Sequence, residues 1–500
     1  MRKNRLFFLW CMAISAIFIA ICSQNSFLYL LNDWVDVHCF FTMGRSILDG
    51  LVPYRDLYEQ KGPVLYFLYA IVSMFSRDTF WGVYLLEFAT FGLFLYFSGK
   101  IAALYLGDSK IIFLMTALLA AIIPVSSAFS HGGSVEELAL FMLVYSLYSV
   151  LRAIKEGRPL AFGEAVCNGI CASMVLWIKF TIMGFYIGLC LFVLIWYISK
   201  RYSLLTLLKT VGQFLLGVAA VSAIVFLYFG IHGALDDLFT VYFYNNLFLY
   251  PSEWEGSRWD LIVYCLKSTM QLNSRYWFFI LLGFGGLFLQ ILRGWRQFLC
   301  VMICFIGLVI GTYWGGKNFP YYGMIFPVFA IFGLIFPVQV YREIRSRIPI
   351  GFSFPKKALA GWVAIALCIP ILMGFAYHKG GNVHLMGYEK DAHPAYRFAK
   401  IINTVEDATL LNYGFLDGGF YYAAGVTPNC KYFCNFNVPA PDMWKTQNEM
   451  ISNGEFDFIV TRKYKLTQYS PNSSHYVCVD EATMLYGTTE FTYYLYQKIG

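Results

Sequence analysis

Three groups of residues hold the side chains with chemical potential. The first is DWVDVHCFFTMGRSILDGLVPYRDLYEQKGPV (33–64), where Asp33, Asp36, Asp49, Asp56 and Glu59 stand beside His38, Arg45, Arg55 and Lys61. The second is His131-Gly132-Gly133-Ser134-Val135-Glu136-Glu137. The third is basic. Lys179 interrupts a long apolar stretch, and Lys317 lies in TYWGGKNFPYYGMIFP (312–327), just ahead of Tyr321 and Tyr322. A carboxylate such as Asp36 can take a proton from an attacking hydroxyl. Acidic oxygens from two loops (Asp36 with Glu136 and Glu137) can hold a divalent cation such as magnesium or manganese. Lysines can receive an anionic phosphate. Each group also has a plainer account. Asp36 opens a helix and can cap its free amides, and Glu136 and Glu137 can do the same behind a Ser134 N-cap. The lysines can snorkel out of lipid. Tyr313, Trp314, Tyr321 and Tyr322 can form an interfacial aromatic belt or stack on a sugar.

The elements that must position these groups are membrane spans. The chain has 500 residues, 59% of them hydrophobic and only 13% charged, and its mean hydropathy is +0.58. A soluble domain carries about 25% charged residues, so a soluble enzyme, a disordered chain and a fibrous repeat are excluded. Nucleic acid is not an expected partner, because no folded module concentrates Lys and Arg enough to follow phosphates. Runs long enough to approach a span of about 20 residues fall at 7–30, 81–105, 111–127, 138–151, 164–178, 182–198, 210–230, 276–292, 297–314, 321–338 and 358–377. Arg2, Lys3 and Arg5 precede the first and hold the N-terminus in the cytoplasm. That first run is read as a span and not as a signal peptide, since no small-residue cleavage site follows it.

The segment 63–76 is apolar but short. If it does not cross, the loops with Lys100 and Lys110, with Arg152, Lys155 and Arg158, with Lys200, Arg201 and Lys209, with Arg293 and Arg296, and with Arg342, Arg345, Arg347, Lys356 and Lys357 all lie inside. That is the positive-inside arrangement. The segments 31–62, 128–137 and 231–275 then face outside, together with the tail 379–500. Residues 37–48 fit a helix lying on the membrane surface, with Phe40, Phe41, Ile47 and Leu48 turned to lipid. The expected architecture is an all-α polytopic domain at 1–378, with about eleven transmembrane helices and interfacial helices in the outer loop 31–80. A small extracytoplasmic α/β domain follows at 379–500. In that tail, 456–465 and 490–499 read as strands and 393–405 as an amphipathic helix. Most of the 13 cysteines lie in apolar runs; Cys430, Cys434 and Cys478 lie in the tail, where an oxidising space permits one disulfide among them.

The sequence resembles a family. A first span is followed by Asp36-Val37-His38-Cys39-Phe40, then Gly50-Leu51-Val52-Pro53-Tyr54-Arg55-Asp56, then Lys61-Gly62-Pro63, and later Gly316-Lys317-Asn318-Phe319-Pro320-Tyr321-Tyr322. This pattern resembles the GT-C superfamily of membrane glycosyltransferases, and within it the bacterial dolichyl-phosphate-mannose-protein-mannosyltransferase-like branch. The tail stretch Gly425-Val426-Thr427-Pro428 before Lys431-Tyr432-Phe433 is similar to that branch as well. Where the family often has Asp-Glu or Asp-Ser, this chain has Asp36-Val37. Asp33 is the alternative acid, and the spacing to Phe40 and to the Pro53-Tyr54 turn favours Asp36.

The resemblance implies transfer of a sugar from a polyprenyl-phosphate donor to an acceptor glycan, lipid or protein on the outer face. Asp36 would be the general base. Arg55, Lys61, Lys179 and Lys317 would meet the donor phosphate. His38, Tyr321 and Tyr322 would contact the acceptor or sugar, with a divalent cation at Asp36, Glu136 and Glu137 as an optional addition. These groups are expected to converge on one extracytoplasmic cavity. A transporter or flippase of lipid-linked saccharides is the alternative. Charges clustered on one face and the lack of repeated halves favour the enzyme.

Overall fold

The computed structural model describes residues 2–250, 256–289, 291–347, 358–438, 440–486 and 489–499. Lys356 and Lys357 of the expected inner loop lie outside them. The chain folds into two compact units that interleave along the sequence. One comprises Met1–Ser26, Tyr84–Ala223 and Ser252–His384; the other comprises Phe27–Val83, Ile224–Pro251 and Leu385–Gly500. The outer loop groups with the tail, and so does a segment from the middle of the chain.

Each expected span falls on a helix. Among the described residues eight helices are long and apolar enough to cross a membrane: Lys3–Cys22, Trp81–Leu106, Val135–Glu156, Phe180–Ser199, Leu204–Ile231, Gly294–Tyr313, Pro320–Arg347 and Gly361–Lys379. A further crossing is available to the pair Arg258–Leu272 and Ser274–Leu289, bent by 114° at the break between them. The remaining two spans correspond to the shorter apolar helices Ile111–Ile122 and Phe162–Ile178. The chain is a multi-pass membrane protein.

Lipid tails give apolar helices little reason to leave them for one another, so such helices associate through close packing at small residues. In the first unit Gly184 and Gly188 face Gly307 and Gly311. A Cβ on Gly184 would run into the carbonyl oxygen of Gly307, so no larger residue fits there. Buried polar groups fix the ends of these helices. Ser23 Oγ donates to Glu87 at 2.8 Å, Gln24 Nε2 donates to Asn382 Oδ1 at 3.0 Å, and Gly133 N–H donates to Glu137 Oε2 at 3.2 Å.

The second unit is built on a four-stranded sheet of order β1-β2-β4-β3, with β1 Leu410–Tyr413, β2 Phe458–Arg462, β3 Tyr476–Tyr486 and β4 Thr489–Lys498. β1 and β2 pair in parallel, so a crossover must join them; it contains the helix Met443–Ser452. β4 pairs antiparallel with both β2 and β3. The strands expected at 456–465 and 490–499 are β2 and β4, and the amphipathic helix expected at 393–405 is Pro394–Ile402. Leu410 to Tyr413 are all buried. A four-residue run buried on both faces shows no period-2 signature, which is why β1 is not visible in the pattern.

The outer loop supplies two helices to this unit, Val35–Leu48 and Pro63–Phe75. The first was expected to lay Phe40 and Phe41 on lipid. Both are instead 1% exposed. Phe40 meets Tyr69 with ring centroids 5.7 Å apart, and Phe41 meets Phe80 at 4.9 Å and Tyr422 at 5.5 Å. The tail residue Tyr422 covers a face that local periodicity alone would leave to the membrane.

Candidate active site

Asp36 lies in the first turn of Val35–Leu48. The N-cap residue, Trp34, makes no side-chain capping bond. The Asp36 residue is 7% exposed, and among the described residues no hydrogen bond or ion pair reaches its carboxylate. A carboxylate this sheltered normally has a partner. The capping account of Asp36 therefore finds no bond to rest on, although the helix dipole still favours a negative charge there. Asp33 differs. His393 Nε2 lies 3.3 Å from its Oδ1, while His393 Nδ1 accepts from Ala395 N–H at 3.2 Å. Acceptance at Nδ1 puts the proton of a neutral ring on Nε2, so His393 donates to Asp33.

His38 lies inside the packing of the unit. It is 1% exposed, with its ring 5.3 Å from Phe80 and 5.8 Å from Tyr422. Burial pushes its pKa down to about 3, so the imidazole is neutral at physiological pH. A Cβ on Gly419 would lie 2.8 Å from His38 Nε2, so Gly419 leaves room for the ring.

The turn after this helix positions two of the basic candidates. Gly50 takes a φ of +90° and Tyr54 a φ of +71°. Tyr54 is fully buried against Phe229, and its hydroxyl donates to the Lys61 carbonyl at 2.5 Å. Lys61 N–H donates to Glu59 Oε2 at 2.9 Å, and the Tyr66 hydroxyl meets the same oxygen. The Lys61 ammonium lies 5.6 Å from the Phe40 ring centroid. Arg55 grips Asp56 with Nε and Nη2, both at 2.8 Å, and donates from Nη1 to the His232 carbonyl. That guanidinium holds the Asp56 carboxyl below the usual carboxylate range. The middle segment of the unit secures the same turn. Asn246 Nδ2 donates to the Gln60 carbonyl at 2.8 Å, from a stretch of wide π-helix, Phe239–Leu249.

In the first unit the structure brings four of the predicted residues together. Ser134 caps Val135–Glu156 as expected, accepting from Glu137 N–H at 3.1 Å. Glu136 forms an ion pair with Lys179. The Lys179 ammonium also lies 3.6 Å from the Tyr322 ring centroid and 5.7 Å from that of Tyr321. Lys179 reaches this place because the helix Phe162–Ile178 stops at it, with φ −157°. Lys317 is partly buried on the approach to Pro320–Phe329. Glu137 is fully buried. Among the described residues no group of three or more His, Cys, Asp or Glu side chains is placed to hold a metal ion.

Asp417 of the second unit was not singled out from sequence. Asp417 is fully buried and accepts from Thr42 Oγ at 2.6 Å, from Gly419 N–H at 2.9 Å and from Asn412 Nδ2 at 3.2 Å. It ties the Asp36 helix to the tail. Burial raises its pKa to about 6 against those three bonds. Asp49 likewise accepts from Thr427 Oγ at 2.6 Å. The tail cysteines do not pair among themselves. Cys434 meets Cys39, with sulfurs 3.9 Å apart.

The fold is similar to that of three solved structures. ArnT from Cupriavidus metallidurans bound to undecaprenyl phosphate matches with a TM-score of 0.58 at 14% identity, over 98% of this chain and 97% of that one. The same protein in its apo state gives 0.57 at 13% identity, with the same coverage. The mycobacterial arabinofuranosyltransferase AftD, solved by cryo-electron microscopy, gives 0.50 at 11% identity over 99% of this chain and 40% of that one. No protein-family model and no curated protein sequence matches the chain.

Proposed function

We propose that this protein is an integral-membrane glycosyltransferase that moves a sugar from a polyprenyl-phosphate donor to an acceptor on the extracytoplasmic face. The observation that carries the reading is the near end-to-end correspondence of fold with ArnT, which binds undecaprenyl phosphate. Asp36 is the general base. The acceptor hydroxyl attacks C1 of the sugar and gives its proton to the Asp36 carboxylate as the bond to the lipid phosphate breaks. A sheltered carboxylate without a hydrogen-bond or ion partner among the described residues suits that role better than Asp33, which His393 already occupies.

The departing phosphate needs positive charge. In the reading Lys179, Lys317, Lys61 and Arg55 supply it. Of these, Arg55 is already neutralised by Asp56 and contributes least. Lys179 is held by Glu136 and Tyr322, so a phosphate competes with the Glu136 carboxylate for it. Tyr321 and Tyr322 offer ring faces to the sugar. His38 supports the Asp36 helix from inside the unit. Lys179 compensates Glu136, and Glu137 accepts from Gly133 N–H. No step here is routed through a metal. Hexosyl or pentosyl transfer, the acceptor, a cytoplasmic N-terminus and an extracytoplasmic tail belong to the same reading.

Asp36→Asn tests it. Loss of a general base costs about 10²–10⁴-fold, so transfer from a labelled polyprenyl-phosphate sugar should fall by that factor while thermal stability is unchanged. Equal transfer by the variant and the parent would remove Asp36 from the mechanism.

A further inference from the structure

We infer that Cys39 and Cys434 form a disulfide in the mature protein, a covalent link that staples the Asp36 helix to the tail. The two sulfurs lie 3.9 Å apart although 395 positions separate the residues. Both side chains are at most 1% exposed and both belong to the second compact unit. Bonding requires the sulfurs to close to about 2.05 Å. Both backbones are already fixed, so side-chain rotation supplies most of the movement. Cys39 sits mid-helix, and Cys434 is framed by neighbours that are pinned. The Phe433 carbonyl accepts from the Tyr421 hydroxyl at 2.7 Å, the Cys434 carbonyl accepts from Gln447 Nε2 at 3.3 Å, and Asn435 N–H donates to the Phe415 carbonyl at 2.9 Å. Cys478, by contrast, is exposed and directs its thiol at the Asp480 carbonyl.

The inference rests on the extracytoplasmic placement of the tail, because disulfides persist in oxidising compartments. The oxidant is a thioredoxin-like protein disulfide of that compartment. One of the two cysteines, as thiolate, attacks the oxidant's disulfide, forms a mixed disulfide and expels one of its sulfurs. The second thiolate then attacks the sulfur of the first. The Cys39–Cys434 bond forms, and the oxidant leaves as a dithiol carrying the two electrons and two protons. Burial of both sulfurs in the folded unit requires this exchange before packing is complete. Cys39 follows Asp36 by three positions, so the link holds the same side of the helix one turn away.

The full chain, purified without reductant after free thiols are blocked by alkylation, is denatured, alkylated again and digested for mass spectrometry. The expected result is a peptide pair joining Cys39 to Cys434, lighter than the separate peptides by two hydrogen atoms and lost on reduction. In Cys39→Ser, Cys434 then becomes alkylated. Recovery of both residues alkylated in the parent protein, or of Cys434 joined to Cys430 or Cys478, would overturn the inference. This readout does not depend on transfer. A linked pair in an inactive protein would sink the enzymatic reading alone, and free thiols in an active protein would sink the disulfide alone.

Discussion

Asp33 and Asp36 are three residues apart, and their surroundings differ. Asp33 accepts from His393, while Asp36 is sheltered and has no hydrogen-bond or ion partner among the described residues. Asp417, the third acid of this unit with an informative environment, has a structural signature. Its carboxyl titrates near 6 when folded, against an ordinary 3.8, because it is buried. Between those values the folded state holds the extra proton, so stability falls as pH rises through that window and stays lower above it. The linkage is worth up to about 3 kcal/mol. Asp417→Asn keeps the Oδ1 contacts to Asn412 and Gly419 and offers an amide to Thr42. The variant should melt above the parent at pH 7.5, with the difference shrinking as pH falls from about 6 to about 4. His38 has the opposite sign: its depressed pKa gives stability that is present above about 6.5 and lost as pH falls. It is common to both proteins and cancels in the comparison. A difference in Tm that does not vary with pH would contradict the assignment. Sequence pattern singles out Asp36 as a candidate because a helix start and a Pro-Tyr turn are local signals. Asp417 and the Cys39–Cys434 contact join residues hundreds of positions apart, and no local period records them.

At the scale of elements, the Asp36 helix is held by close backbone approach as well as by side chains. A Cβ on Gly44 would lie 2.6 Å from the Tyr69 carbonyl carbon and 2.8 Å from the Ala70 nitrogen, both in helix Pro63–Phe75. Backbone cannot swing aside as a side-chain end can, and overpacking of this kind costs about 1–3 kcal/mol. Gly44→Ala should therefore lower the melting temperature by several degrees and reduce transfer with it. A variant that melts with the parent would show that the two helices are not in this contact. The helix was legible as an element. Its exposed face was not, since Phe40 and Phe41 have the spacing of a membrane-surface helix and are covered by Tyr69, Phe80 and Tyr422. The strands divide in the same way. β2 and β4 carry β-branched and aromatic residues, whereas β1 is a four-residue buried run and β3 is interrupted by a register shift between Cys478 and Asp480.

Across the whole molecule, the spans are the most legible feature, because each needs only a run of apolar residues. The interleaving of the two compact units is the least legible, because it depends on which distant segments share a core. Orientation can be tested through Cys478, which is exposed on β3. A membrane-impermeant maleimide should label it in intact spheroplasts, and Cys478→Ser should lose that label. Labelling that requires lysis would place the tail in the cytoplasm. Transfer itself can be followed with the purified protein in proteoliposomes, a polyprenyl-phosphate sugar labelled in the sugar, and a membrane extract as acceptor source. The prediction is that label leaves the lipid and appears on an acceptor while free polyprenyl phosphate accumulates in equal amount. Donor lipid recovered with its sugar still attached, merely moved from one leaflet to the other, would identify a flippase and contradict the enzymatic account.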